Sequence, residues 1–409
     1  MAKVMITVWL MQEHENLMRN VIVPEFKKLH PDIEVILTTT SWHYLWDKVV
    51  MFSKKKQGPD VLQIGNTWNG VLAKIGALKD MTEQVNKIGG ANAFVPAAAR
   101  LCTFPGTNKM SSVPWYLDVR ALYYRKDIIK DNLLREADLR TIDEFEKVCR
   151  KIHGQKVNNR TIAALGVSGQ KDAQLVHNVA PWIWNFGGEF ISQNGRDVHF
   201  NSPKSLAGIK TYFGLINNYC DHETVLQSLE AYMENFMIKG DYALGFFGPW
   251  VNNTFLNPKN PAHSKLAEHI SCTFMPTGVA GHYTFLGGSN LGISAFTQHP
   301  DESWMFINHL LKRKVQEQFC GANNQLPSLM DCYTAMFMVE NQRNKVLKES
   351  VRLGRGFPNN ENWAQIEDVL IGYFHQVLVS IKEGIYSDEL LESQIQEAAA
   401  KCQQILDTN

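Results

Sequence analysis

Val4-Met5-Ile6-Thr7-Val8-Trp9-Leu10, Ile33-Glu34-Val35-Ile36-Leu37 and Asp60-Val61-Leu62-Gln63-Ile64 decide the fold of this chain. Each is a mainly apolar run of strand length, the pattern of a strand buried on both faces of a parallel sheet. Between the first two lie Leu17, Val21, Val23, Phe26 and Leu29 at roughly helical spacing, with Pro24 expected to kink or break that helix and Pro31-Asp32 to end it. Leu45 to Met51 predicts a second helix, and Gly58-Pro59 turns the chain into the third strand. Strand–helix–strand–helix–strand at this spacing reads as parallel βαβ units with right-handed crossovers. The N-terminal part is therefore expected to form a doubly wound α/β sheet.

Further along, a second lobe is expected from about Val113, with a strand at Leu122-Tyr123-Tyr124-Arg125. Thr141-Ile142-Asp143-Glu144 is a capping box opening a helix that runs through His153. Thr161 to Val167 and Asp241 to Phe247 read as strands, with helical periodicity over 203–220 and 225–238. A glycine-bearing strand is expected from Phe285 to Ile293, then a helix from Asp301 to Leu311, and an almost wholly helical run from Trp363 to Leu406.

The 409 residues are 44% hydrophobic and 20% charged, enough to bury a large core without staples. Lys+Arg and Asp+Glu are both 41, and no basic block or arm occurs. A nucleic-acid partner leaves a basic footprint, so none is expected. Val4 to Met11 is too short and too abruptly followed by Gln12-Glu13-His14-Glu15 for a signal peptide, and reads as the first strand. The seven cysteines include no C-x-x-C pair, which argues against a zinc knuckle or thioredoxin-type site and for small buried hydrophobes.

Catalytic signatures are missing: no G-x-S-x-G, H-E-x-x-H, Walker A or G-x-G-x-x-G is present. No catalytic residue, metal or cofactor is assigned. His14 between Glu13 and Glu15, and His222 between Asp221 and Glu223, are expected in solvated polar turns rather than at a metal, because adjacent side chains diverge. Asp118, Glu189, Asp241 and Glu361 lie near aromatic residues, where acids accept sugar hydroxyl hydrogen bonds or cap helices. The competing reading of such acids is a glycoside hydrolase pair.

The ten tryptophans carry more information. Trp42, Trp68, Trp115 and Trp250 each follow a predicted strand, where ligands bind in open α/β sheets, and Trp182, Trp184 and Trp363 lie in segments rich in Gly, Pro or Asn. Trp9 and Trp304, inside a strand and a helix, are assigned to the core. A pyranose has apolar C–H faces and a rim of hydroxyls, so its site needs flat rings plus donors and acceptors. Burying ~150 Å² of ring at ~25 cal/mol/Å² is worth ~4 kcal/mol before the costs of association. A few stacked rings with polar contacts then suffice for micromolar binding.

The order of segments resembles the extracellular solute-binding proteins of ABC importers, in the family that contains maltose-binding protein. The resemblance covers nearly the whole chain. It is carried by Gly58 to Gly65 with Gly76-Ala77-Leu78, by Val113-Pro114-Trp115-Tyr116-Leu117-Asp118-Val119-Arg120 continuing to Asp127, by Asn185-Phe186-Gly187-Gly188-Glu189, by Gly248-Pro249-Trp250, and by Gly287-Gly288-Ser289-Asn290. It implies two doubly wound α/β lobes with a hinge, of the periplasmic-binding-protein type II kind. The expected N-terminal lobe is 1–112 and 285–325, and the C-terminal lobe is 113–284 and 326–409 with a helical tail.

The resemblance further implies that Asp118 supplies a carboxylate to a sugar hydroxyl and that Trp250 is the platform of the second lobe. Trp182 and Trp363 match stacking aromatics, and Asn66 and Trp68 fall where the first lobe presents polar and stacking groups. Glu13, Trp42, Trp115, Arg120, Ser289, Asn290 and Arg355 complete the expected ligand-binding set. Arg125 departs from the Asn or Asp usual after the paired tyrosines, at a position expected to cap a turn away from the ligand. The implied function is a monomeric, non-enzymatic protein that closes on a di- or oligosaccharide and delivers it to ABC permease subunits. Such a protein is extracytoplasmic, either periplasmic or lipid-anchored, with its leader absent from this chain. Another polar solute, such as a glycerol phosphodiester, calls for several basic groups, for which only Arg120, Arg352 and Arg355 are candidates. Tyr123-Tyr124 matches the tyrosine pair of ferric-binding relatives, but core packing is the expected role.

Overall fold

The computed structural model describes residues 3–255, 266, 268–334 and 342–408. In chain order, β1 (Val4–Met11) leads through a helical run into α1 (Val23–Leu29), followed by β2 (Ile33–Thr40), α2 (Trp42–Lys54), β3 (Val61–Gly65), α3 (Asn69–Lys74) and β4 (Val113–Val119). Next come β5 (Ala121–Arg125), α4 (Ile142–Ile152), β6 (Ala163–Leu165), α5 (Gln174–Asn185), α6 (Pro203–Tyr219), β7 (Tyr242–Phe247) and β8 (Ile270–Thr273). The chain continues with β9 (Thr284–Ile293), α7 (Pro300–Leu310), α8 (Arg313–Asn323), β10 (Leu326–Pro327), β11 (Gly354–Arg355), α9 (Trp363–Lys382) and α10 (Asp388–Asp407).

These elements form two compact units. The first comprises Met1–Asp118, Leu286–Glu340 and Asn359–Ala364; the second comprises Val119–Phe285, Asn341–Pro358 and Gln365–Asn409. The boundaries differ from those expected from the sequence. Residues 113–118 belong to the first unit because β4 is a strand of its sheet, paired with β10, and 326–334 stay there with β10. The first sheet runs β10-β4-β9-β3-β1-β2, with β1 parallel to both β2 and β3 and β9 antiparallel to β3.

Apolar runs make β1 and β3 interior strands. Ile6, Val8 and Leu10 face Phe26, Phe306 and Leu310, while Trp9, Leu62 and Ile64 face Leu45, Val49 and Leu72 on the other side. Each fully buried side chain of this size contributes roughly 2 kcal/mol, so helices on both faces fix which strands are central. Pro24 does not break the preceding helix. A π turn over Met18–Ile22 runs directly into α1, and Pro24 lies in the first turn of α1, where its missing N–H is tolerated.

The second unit carries a sheet of order β8-β5-β7-β6, antiparallel except for β6 with β7. Thr141 caps α4 as expected, its hydroxyl accepting from the Glu144 N–H at 3.2 Å. Tyr123 and Tyr124 are buried in β5. Arg125 is buried too, forked onto Asp127 at 2.9 and 2.6 Å. The seven cysteines are all buried, and burial raises every one of their thiols; Cys102, Cys272, Cys332 and Cys402 are pushed up to about 12. Among the described residues, no helix is long and apolar enough to cross a membrane.

Candidate functional site

In the first unit β1, β2 and β3 are parallel, so their carboxyl ends lie along one edge. Glu13 follows β1, Trp42 opens α2 directly after β2, and Asn66 to Trp68 form a short turn of helix after β3. The side chains meet there. Trp42 and Trp68 pack edge to face at 5.6 Å, Trp46 lies 5.2 Å from Trp68, and the Trp42 indole N–H donates to Glu13 Oε1 at 3.0 Å. Both rings close over Gly65: a Cβ there would lie 3.4 Å from each of Trp42 and Trp68, in ordinary van der Waals contact. Trp42 keeps 37% of its surface exposed. Desolvation raises the Glu13 carboxyl above the ordinary range, opposed by hydrogen bonds from its own backbone and from Trp42. The same side chain is 46% exposed, so the apolar surroundings act from one flank while the other stays open to solvent.

Two carboxamides lie at the same end of the sheet: Asn66 opens the turn that carries Trp68, and Asn290 sits on β9. Asn290 is opposite Ile64 in the β9–β3 register, and Ile64 packs with Trp9, Leu45, Trp46 and Trp68. Asn290 is fully buried and Asn66 nearly so, yet neither the oxygen nor the nitrogen of either amide is hydrogen-bonded to any described residue. Leaving such a group unsatisfied costs about 1–3 kcal/mol, and folded proteins satisfy nearly all of them.

On the opposite face the polar groups are satisfied by one another. Gln63 Oε1 accepts the Met11 N–H at 2.9 Å, while Gln63 Nε2 donates to Tyr116 Oη at 3.0 Å and to Ser289 Oγ at 2.9 Å. Ser289 Oγ donates to Tyr116 Oη at 3.1 Å, and His14 Nε2 lies 3.0 Å from that same hydroxyl. His14, expected in a solvated turn, is instead 2% exposed and ringed by Trp115, Tyr116 and Phe319. Burial lowers its pKa to about 4, opposed by a hydrogen bond to Asn323. Sequence reasoning missed His14 and Gln63; a single glutamine inside an otherwise apolar strand was the available signal for the latter.

Several expected ligand contacts lie enclosed in the interior. Trp115 is fully enclosed and stacked on Phe319 at 4.3 Å, and Trp182 is enclosed by Phe145, Tyr212 and Phe246. Trp363 is 1% exposed. The apolar side of a strand and its ligand-facing end look alike in sequence. Ser289 spends its hydroxyl within the network. Asp118 remains half-buried at the end of β4.

The second unit brings other expected residues together. Arg120 is 1% exposed, donates to Gln174 Oε1 at 2.6 Å, and lies over the Phe285 and Trp250 rings at 5.5 and 6.0 Å. Trp250 is half-buried. Arg355 contacts both oxygens of Glu189 at 2.8 Å and lies over Trp184 and Tyr283. Its charge is thus already matched. Asp241 pairs with Arg160, and Glu361 with Lys74. His222 accepts no acidic neighbour as a metal partner; its Nε2 sits 2.7 Å from the Asn217 carbonyl. Among the described residues no cluster of three or more His, Cys, Asp or Glu is arranged to hold a metal ion.

This architecture has known counterparts. An ABC transporter solute-binding protein of Thermotoga lettingae, solved with α-D-tagatose, superposes with a TM-score of 0.84 at 23% identity, over 99% of this chain and 100% of that one. The sugar-binding protein MalE of Xanthomonas citri gives 0.83 at 21% identity, over 99% and 98%. These likenesses show the fold, an α/β architecture of the type II periplasmic sugar-binding kind. In sequence, the chain is 24% identical over 281 residues to a probable ABC transporter-binding protein of Deinococcus radiodurans. It is 26% identical over 294 residues to the diacetylchitobiose binding protein DasA of Streptomyces coelicolor. The matches take in 68% and 70% of this chain, and span 64% of the length of each relative. The model of the bacterial extracellular solute-binding protein family matches residues 11–317, most of the chain and a span that includes Glu13, Trp42, Asn66 and Asn290, so the chain belongs to that family.

Proposed function

We propose that this chain is the solute-binding component of an ABC importer, that it works outside the cytoplasmic membrane as a monomer, and that its solute is a di- or oligosaccharide handed on to permease subunits. The observation that carries the reading is the pair of buried carboxamides of Asn66 and Asn290, bonded to no described residue, at the end of the sheet where Trp42, Trp46 and Trp68 cluster. A sugar ring matches both halves of that surface. Its C–H face stacks on indole, and its hydroxyls both donate and accept, as a carboxamide requires. Asp118 and Glu13 add acceptors in the first unit; in the second unit, considered by itself, Trp250 with Arg120 over its ring is a candidate stacking platform. Arg355, neutralised by Glu189, gives no free positive charge for a phosphate ester. The names of the diacetylchitobiose binding protein DasA and of the sugar-binding protein MalE support the same class.

The test is a thermal-shift screen of the purified chain against D-tagatose, maltose, N,N′-diacetylchitobiose and longer saccharides, followed by calorimetry. A specific saccharide raises the melting temperature by mass action. Trp250→Ala is expected to lose most of that binding with stability nearly intact. Stabilisation by phosphate esters but by no saccharide overturns the reading, as does release of reducing ends from a bound oligosaccharide.

A further inference from the structure

Glu13 and Glu15 stand two residues apart and are used differently. Glu15 is satisfied within the chain: its carboxylate accepts from Arg19 at 2.6 Å and from the Thr39 hydroxyl at 2.8 Å. Glu13 accepts the Trp42 indole N–H at 3.0 Å and pairs with no Lys or Arg among the described residues. Its basic neighbour is His14, with Nε2 3.8 Å away, and burial holds that imidazole neutral until the pH falls to about 4. Three cations on the helices that follow β1, β2 and β3 are engaged elsewhere. Arg19 also donates to the Leu37 carbonyl at 2.9 Å, Lys48 stands 4.1 Å over the Trp9 ring, and Lys74 pairs with Glu361 at 3.0 Å.

The charge on Glu13 is therefore met by neutral donors only. Desolvation raises its carboxyl above the ordinary range in spite of the hydrogen bonds from its own backbone and from Trp42. Together with Asp118 it also acts on the buried Tyr116 hydroxyl, the two charges adding to burial in raising that phenol. Next to Glu13, Trp42 keeps 37% of its surface exposed. An indole face attracts a cation through its quadrupole, and Lys48 over Trp9 is that same contact within this unit. A sugar hydroxyl would give Glu13 one more neutral donor. An ammonium would give it the opposite charge, three donors and a fit to the ring beside it.

We infer that the solute is a saccharide bearing a protonated amine, and that Glu13, with the open face of Trp42, selects it over its hydroxyl and N-acetyl counterparts. The inference rests on reading this end of the sheet as part of a saccharide site. The two charges support each other. The ammonium draws the Glu13 carboxyl back down and the carboxylate draws the amine up, so both are charged at a pH between the carboxyl and amine ranges. N-acetylation removes the positive charge, and a hydroxyl in the same place never carries one.

The test is calorimetry on the full chain, in that pH range, with ligands that differ only at the nitrogen. D-glucosamine is set against D-glucose, D-galactosamine against D-galactose, and chitobiose, the β-linked glucosamine dimer, against cellobiose and N,N′-diacetylchitobiose. At least one amine is expected to bind roughly tenfold tighter than its hydroxyl parent, the gain of a half-exposed ion pair plus a cation–π contact. Salt screens such a pair, so the preference should shrink about threefold between low and high ionic strength in the wild type. In Glu13→Gln, which keeps an acceptor oxygen without the charge, the preference should fall to within about twofold. A preference that survives both salt and Glu13→Gln overturns the assignment to Glu13. If cellobiose, maltose or D-tagatose binds and no amine binds tighter than its parent, the inference falls and the saccharide reading stands. If no saccharide binds, charged or neutral, both fall together.

Discussion

Two faces of the same strands treat polar side chains in opposite ways. On one face of β3 and β9, Gln63 and Ser289 join the Tyr116 hydroxyl and His14 Nε2 in a network that bonds both polar atoms of Gln63, with His14 Nδ1 the ring atom left without a hydrogen bond to any described residue. On the other, Asn290 is just as buried but bonds to no described residue, beside a tryptophan cluster left partly open. Burial alone therefore does not separate structural from functional polar groups; saturation does. A satisfied network rigidifies the end of the sheet, and unsatisfied amides on that rigid support keep their hydrogen-bonding capacity for something else.

The contrast breaks most readily at Gln63. Gln63→Leu should cost roughly 4 kcal/mol in urea unfolding, because the Met11 N–H and the two hydroxyls are left without their partner. A loss under about 1 kcal/mol would show that the network is incidental. The next effect is one of pH. The folded pKa of His14, about 4, lies below its ordinary 6.5, so the fold favours the neutral ring. Its stabilising contribution is complete above pH 6.5 and is lost as the pH falls toward 4, amounting to about 3 kcal/mol. Unfolding measured across that window should show this slope in the wild type and not in His14→Gln.

The open face should respond in binding rather than in stability. Trp42→Ala is expected to weaken saccharide binding by about 2 kcal/mol in calorimetry, while unfolding changes by less than about 1 kcal/mol. Asn290→Leu is the sharpest single comparison with Gln63→Leu, although its effect is the smallest. Removing an unsatisfied buried amide should raise stability by about 1 kcal/mol and reduce binding. If Asn290→Leu destabilises the chain as Gln63→Leu does, the two faces are alike and the assignment of the amides to a ligand is lost.

Most of the scaffold was legible in the sequence, and the reason is local. The runs at 4–10, 33–37 and 60–64 are mainly apolar, and strands β1, β2 and β3 fall on them. Thr141 and Glu144 lie three apart, so their cap follows from spacing alone. The antiparallel β9 between β3 and β4 was legible only as a strand, since its neighbours come from residues more than a hundred positions away. The site was read less well for the same reason. Trp42 and Trp115 both follow or open predicted strands, yet one is 37% exposed and the other is sealed against Phe319. Which way a ring turns depends on register and on what α8 brings to that face. His14 looked like part of an acidic turn because its sequence neighbours are acidic; its spatial neighbours are aromatic.

The seven buried thiols have a practical consequence. With every sulfur sealed in the interior and burial holding each in the protonated form, the native protein should be nearly inert to maleimides and similar alkylating dyes. No cysteine need be removed before labelling. A Tyr44→Cys substitution, at a position 69% exposed and two residues from Trp42, would then be the fast-reacting handle, and a fluorophore attached there would sit where occupancy of the tryptophan edge changes its surroundings. The chain is in that sense already prepared as the protein part of an optical sensor for its own solute.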